Sequence, residues 1–168
     1  MSDKNKSYVI RSMRKDETDL LKGFLYEAIF IPKGAEPPAR EIIEKPELRV
    51  YIDDFGARKG DNCLVADFDG KVVGAVWTRI MNDYGHLDDE TPSFAISLYP
   101  EYRKQGIGSQ LMAKMLELLK MQGYERASLA VQKANYAVRM YADLGFKIIN
   151  ENAEEYIMVI KLTKTNNE

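Results

Sequence analysis

The stretch Ser97-Leu98-Tyr99-Pro100-Glu101-Tyr102-Arg103-Lys104-Gln105-Gly106-Ile107-Gly108-Ser109 decides how the rest of the chain is read. Before it, Ser93 to Tyr99 is an apolar run that ends at Pro100, as a buried strand would. After it, Ile107, Leu111, Met115, Leu118 and Leu119 recur at helical spacing, so Gly106 to Gln122 is a predicted helix, closed by Gly123. A strand thus runs through a short basic loop into a helix. The free N–H groups and partial positive charge of a helix N-terminus attract anions. Gly106 and Gly108 lack the Cβ atoms that would hold a phosphate away, and Arg103 and Lys104 add positive charge. The chemistry this suits is a pyrophosphate. Taken alone, the two glycines fit a tight strand-to-helix turn equally well.

Other phosphate loops fit less well. A P-loop needs Gly-Lys-Ser/Thr, which is absent, and a dinucleotide fingerprint needs a small residue where this chain has Leu111. No acidic ribose partner stands at a recognisable spacing.

Outward from the loop, strand and helix signals alternate. Upstream, Tyr8 to Met13 is a candidate strand, and Leu20, Leu21, Phe24, Leu25 and Ala28 have helical spacing after capping residues at Asp16 to Thr18. Ile31 to Pro38, with three prolines and a glycine, is a loop. Arg40 to Phe55 is helical but interrupted or restarted at Pro46. Cys63 to Phe68 and Lys71 to Ile80 flank Asp69-Gly70, a pair suited to a type I′ hairpin turn. Asn82 to Pro92 is a polar, acidic loop. Downstream come a strand at Ala127 to Val131, a helix at Asn135 to Leu144 stopped by Gly145, and strands at Phe146 to Ile149 and Tyr156 to Leu162. A hairpin inside an otherwise alternating order implies a mixed, twisted central sheet with helices on both faces, an α/β or α+β domain.

Composition sets the outer bounds. At 168 residues, with 45% hydrophobic and 30% charged residues, the chain is expected to form one domain, with a polar tail from about Thr163. A net charge of -2 argues against a nucleic-acid partner. Cys63 is the only cysteine, which excludes an internal disulfide and a multi-cysteine zinc site. Neither a secretory signal nor a membrane span is apparent, so a cytoplasmic protein with no membrane partner is expected.

Two motifs then stand in register. Leu98-x-Pro100-x-x-Arg103-x-x-Gly106-x-Gly108 resembles the acetyl-CoA loop of the GNAT superfamily of N-acetyltransferases. Asn135-x-Ala137-x-x-Met140-Tyr141-x-x-Leu144-Gly145-Phe146 resembles that family's second cofactor motif, a helix and a strand further on. The resemblance implies a GNAT-like fold with the sheet splayed between the strands at Ser93 to Tyr99 and Ala127 to Val131. It also implies acetyl-CoA as co-substrate and transfer of the acetyl group to an amine of a small molecule or peptide. It assigns the Leu98 N–H to the acetyl carbonyl and Ile96 to the pantetheine arm. Arg103, Lys104, Gln105, Gly106, Ile107, Gly108 and Ser109 would wrap the pyrophosphate. Asn135 would contact the pantetheine and Tyr141 would act as general acid. No metal is needed, and the resemblance allows a homodimer without fixing the oligomeric state.

The residues themselves keep plainer readings open. Tyr141 is otherwise a half-buried aromatic, and Asn135 is otherwise a helix N-cap. His86, the only histidine, is either a solvated loop residue or a general base. Asp88, Asp89 and Glu90 are read mainly as solvated, and Trp77 and Cys63 as core. Tyr26, Phe30, Asp53 and Asp54 fall where the family builds its acceptor pocket, but nothing there names an acceptor. A module that binds acyl-CoA without transferring it is the alternative function.

Overall fold

The computed structural model describes residues 7–83 and 85–162. The polar tail from Thr163 and the segment Met1 to Lys6 lie outside them, as does Tyr84 of the acidic loop. In chain order the elements are β1 (Val9–Ser12), α1 (Leu20–Glu27), α2 (Pro46–Arg49), β2 (Asn62–Phe68), β3 (Lys71–Arg79), β4 (Ser93–Leu98), α3 (Ile107–Met121), β5 (Arg126–Gln132), α4 (Ala137–Leu144), β6 (Lys147–Glu151) and β7 (Glu155–Lys161). Single 3₁₀ turns precede α1, α2 and α3.

Seven strands form one sheet in the order β1-β2-β3-β4-β5-β7-β6. Every neighbouring pair is antiparallel except β4 and β5. The β2–β3 hairpin turns at Asp69 and Gly70 with φ of 50° and 94°, the two positive values a type I′ turn requires. The Gly70 N–H donates to Asp67 Oδ1 at 2.6 Å, which closes the turn.

Strand alternation divides the core in two. Leu64, Ala66, Val76, Phe94 and Leu98 face α3, which fills that side with Ile107, Leu111, Met112, Met115 and Leu119. Cys63, Val65, Ala75 and Trp77 face the other way, against Leu21, Phe24 and Leu25 of α1. A bulge shifts the register at Ala66/Asp67 and leaves Val73 unpaired between Val72 and Gly74. That extra residue turns Val73 toward α3 although Ala75, two positions on, faces α1.

The segment Arg40 to Phe55 is less helical than its apolar content predicts. It breaks into a 3₁₀ turn at Arg40–Glu44 and the four-residue α2, because Lys45 is extended (ψ 140°) ahead of Pro46. Ile43 and Ile52 bury this region against the α1-side core, and polar bonds fix its turns. Arg79 and Asp61 form a fully buried, two-pronged ion pair with both N···O distances at 2.9 Å. Arg79 Nη1 also donates to Val50 O at 3.0 Å, and the Trp77 indole donates to Tyr51 O at 3.2 Å.

Candidate active site

The parallel step is where the sheet opens. β4 and β5 share one registered pair, Ser93 with Ser128, and then diverge. Backbone alternation fixes what lines the gap. Tyr99 N donates across to Val73 O at 3.0 Å, so the odd-numbered amides of β4 face β3. The N–H and C=O of Ile96 and the N–H of Leu98 therefore face the missing partner, while the Leu98 C=O accepts from Arg103 Nε at 3.0 Å. On the other side Ser128 N donates to Pro92 O at 3.0 Å, so Ala130 N, two residues on, points into the same gap. An unpaired buried amide costs about 1–3 kcal/mol, so a row of them marks a place built for a ligand.

The gap widens into a cleft of about 1090 Å³. One wall is Ile96, Ser97 and Leu98 with the loop residues Arg103, Lys104, Gly106, Gly108 and Ser109. Opposite stand Asn135, Met140 and Tyr141. The segment from Tyr26 to Lys33, with Pro37, closes the third side. The last group is mostly apolar and was not resolvable from periodicity.

Local geometry fits a pyrophosphate at the loop. Lys104 and Gly106 both adopt positive φ (63° and 90°), which turns successive amides toward one side as an anion nest does. A Cβ built on Gly106 would meet nothing within 4 Å, so the space above it is open. At Gly108 a Cβ would touch Leu98 and Met140 at ordinary distances of 3.7 and 3.8 Å. The protein's own packing does not demand glycine there. Gly74 on β3 is different. It pairs with Leu98, and a Cβ on it would collide with the Leu98 side chain and approach Ser97 O at 3.2 Å.

Three expected loop residues differ from the reading that the whole run faces the phosphate. Ile107 is buried in the core beneath the loop. Gln105 is exposed and bonds Glu101 O at 2.9 Å. Arg103 lines the cleft, but its charge is already committed. Its Nε donates to Leu98 O at 3.0 Å and its Nη2 to the Glu27 carboxylate at 3.0 Å. It fastens the end of α1 to the end of β4 instead of standing free for phosphate. Lys104 is the loop cation left to the mouth, where its Nζ lies 5.0 Å from the Tyr136 ring centre.

Tyr141 is buried at 7% exposure, packed on Phe146, and its side chain lines the cleft. Burial, with a smaller contribution from Tyr136, pushes its phenol above the ordinary value, so the hydroxyl keeps its proton. Asn135 caps α4, its side-chain oxygen accepting the Ala137 N–H at 2.9 Å, and it lines the cleft as well. His86 is not brought to the cleft. Its loop is drawn onto β5 by the Ser128 hydroxyl, which donates to Gly85 O at 2.8 Å, and its Nε2 lies 3.7 Å from Asp89. The acidic residues divide similarly. Asp88 is tied to Thr91 and Arg126, which hold its carboxyl down at about 2, and Asp53 pairs with Arg49 at 2.6 Å. Asp83, a residue that no motif singled out, also lies outside the cleft lining, but it stands at the closed end of the gap, with its Oδ1 3.4 Å from Ser93 Oγ.

No described helix is long and apolar enough to cross a membrane. Among the described residues no group of His, Cys, Asp and Glu is arranged to hold a metal.

Known proteins agree with this architecture. The PaiA N-acetyltransferase from Thermoplasma acidophilum, solved with coenzyme A, superposes with a TM-score of 0.69 at 19% identity, over 92% of this chain and 99% of its own. The ribosomal-protein-S18-alanine N-acetyltransferase from Escherichia coli gives 0.68 at 17% identity, over 95% and 97%. In sequence, an uncharacterized N-acetyltransferase from Archaeoglobus fulgidus is 28% identical over 136 residues, 77% of this chain and 87% of the relative. Residues 28–146 match the model of the Acetyltransferase (GNAT) family. Acetyl-CoA is the co-substrate that fits such a site, and the chain belongs to the GNAT family as an N-acetyltransferase.

Proposed function

We propose that the cleft transfers an acetyl group from acetyl-CoA directly to a primary amine, with no acyl-enzyme intermediate. The observation that carries this reading is the single-pair junction of β4 and β5, which leaves the Leu98 N–H facing the cleft that Tyr141 lines from the opposite wall. Acetyl-CoA supplies an activated thioester carbonyl. Ile96 and Leu98 hold the donor through main-chain bonds like those of an added strand. The amides around Lys104 and Gly106 hold its pyrophosphate. The Leu98 N–H faces the carbonyl oxygen on which charge develops. Tyr141 donates its proton to the departing sulfur.

The proton balance supports Tyr141. In water a phenol loses its proton about 1.5 units above a thiol, so the transfer runs uphill by about 2 kcal/mol. Burial raises both groups. Cys63 shows the effect on a thiol within this protein, where burial pushes it up to about 12. A thiolate leaving in a dry cleft is therefore a much stronger base than in water, which offsets the raised phenol. Protonation remains a modest demand.

The test is acetyl-CoA-dependent release of coenzyme A across a set of primary amines, with the acetylated amine identified by mass. Amine-dependent release with a matching product supports the reading. Tight acetyl-CoA binding without release for any amine overturns it in favour of a binding module.

A further inference from the structure

A carboxylate without a cation stands at the base of the gap. Ser93, Ala95 and Ser97 of β4 and Ser128, Ala130 and Gln132 of β5 face the α1 side of the sheet, and none of them takes up a proton near neutral pH. Asp83 lies over this face. It accepts the Tyr51 hydroxyl at 3.0 Å and the Ser93 hydroxyl at 3.4 Å, two neutral donors. None of the ion pairs among the described residues includes it. Other hydrogen-bonded carboxylates have an arginine: Glu17 and Asp67 share Arg11, Asp61 has Arg79, and Asp88 has Arg126. A shielded anion left unpaired is costly unless a cation arrives from elsewhere.

The loop is built to keep this carboxylate in place. A Cβ added at Gly85 would lie 3.3 Å from Ala130 N, 3.4 Å from Leu129 C and 3.5 Å from Asp83 Oδ2. The Asp83 carboxylate therefore sits directly above the first stretch of β5 that has no β4 partner. Ser128 and Ser93 are 3.3 Å apart beneath it, and Ser128 anchors the Gly85 carbonyl.

We infer that Asp83 takes up the proton of the acceptor's ammonium group through water, acting as the general base for the amine. The inference rests on the reading of the cleft as an amine-acetylating site. Leu98 lies five residues along β4 from Ser93, so the proton passes from the ammonium to Asp83 through a chain of waters along the open edge of the strand. The freed nitrogen lone pair forms the N–C bond, the C–S bond breaks, and the sulfur takes the Tyr141 proton. The second proton that the nitrogen sheds as the amide forms passes to solvent, Tyr141 recovers its own from solvent, and Asp83 releases its proton there.

Burial raises the Asp83 carboxyl above the usual range, against the lowering effect of the Tyr51 hydrogen bond. The described groups around it are the hydroxyls of Tyr51 and Ser93, the Gly85 N–H and, from the start of β7, the Glu155 carboxyl. Glu155 is raised too, by burial and then by Glu154 and Asp83. Two carboxyls pushed upward on one face suit a cationic acceptor and a base that works near neutral pH.

Asp83→Asn is the direct test, with an amine that the parent acetylates. At pH 7 its kcat/KM for the amine should fall by about 10²–10⁴-fold while the KM for acetyl-CoA holds. The gap should narrow by about tenfold per pH unit toward the amine's own pKa near 10.4, because solution then supplies free amine. An equal rate, or a gap that does not change with pH, overturns the role. Tyr51→Phe keeps the ring and deletes one hydrogen bond that lowers Asp83. The acid limb of kcat/KM should therefore move to higher pH, and an unmoved limb counts against Asp83 even if Asp83→Asn does not fold. A parent that binds acetyl-CoA but acetylates no amine overturns the functional reading as well, whereas a fully active Asp83→Asn overturns the base alone.

Discussion

The cofactor side and the acceptor side of the cleft are built by different means. On the cofactor side, the β4–α3 loop and the start of α4 present backbone amides, and the positions that matter are those that lack a side chain or turn the chain left-handed, such as Gly106 and Gly108. On the proposed acceptor side, the chain from Tyr26 to Pro38, most of which lines the cleft, and the turns after α2 and the β3–β4 loop, which lie outside the lining, have little regular structure. Individual side-chain bonds hold them: Tyr26 to Pro38 O at 2.5 Å, Arg79 to Asp61 and Val50, and Tyr51 to Asp83. A backbone-built site depends on the fold. A side-chain-built site depends on particular residues, and it can change its substrate without touching its neighbour.

Four substitutions break or sharpen that contrast. The largest effect is expected on the cofactor side, at the proposed proton donor. Tyr141→Phe should lower kcat by about 10²–10⁴-fold with little change in acetyl-CoA affinity, because the ring and its packing on Phe146 remain. The raised phenol also predicts that the alkaline side of the parent's kcat profile stays flat through pH 10, since the proton is lost only above that. A variant that turns over like its parent would make Tyr141 a packing residue.

The next effect falls on the acceptor side and on stability. Asp61→Asn leaves the Arg79 guanidinium buried without its counter-charge, at a cost of about 3–5 kcal/mol in chemical denaturation. Because Arg79 also holds the chain at Val50, beside Tyr51, amine KM should suffer before acetyl-CoA KM does. Equal damage to both would show that the two sides are not independent.

Arg103→Ala should have a smaller and shared effect. The guanidinium ties β4 to α1, so the variant loses about 1 kcal/mol of stability, given its partial exposure. Both KM values should rise a few-fold. A selective loss of acetyl-CoA binding would restore Arg103 to the phosphate. The smallest effect is expected of His86→Gln, with turnover within about twofold of the parent from pH 6 to 9. A tenfold loss would bring this loop histidine back into the chemistry.

Legibility from sequence follows the same division. The hairpin at Asp69-Gly70, the stripe on α3 and the stops at Gly123 and Gly145 rest on local rules, and each is where the residues place it. The helix expected over Arg40 to Phe55 is mostly turns, because Pro46 and a buried ion pair from a distant strand outweigh apolar content. The phosphate loop was readable because its reason is local, whereas the Arg103 partner, Glu27, lies 76 residues away. Asp83 was hidden among other acidic residues between Asn82 and Pro92. Only the fold separates it from Asp88, by giving Asp88 an arginine and Asp83 none.

Gly74 carries a consequence for anyone redesigning this enzyme. It sits on a neighbouring strand, outside the cleft lining, yet the Leu98 side chain occupies the space that any larger residue at 74 would claim. Strand β4 has β3 on one side and an open gap on the other, so the displacement would be directed into the gap. A mutagenesis library chosen by distance from the ligand would leave position 74 free to vary and lose most of its members there. The apolar segment from Ile29 to Pro37 borders the cleft without bracing β4, and diversity spent there can be screened for new acceptors while the donor site stays whole.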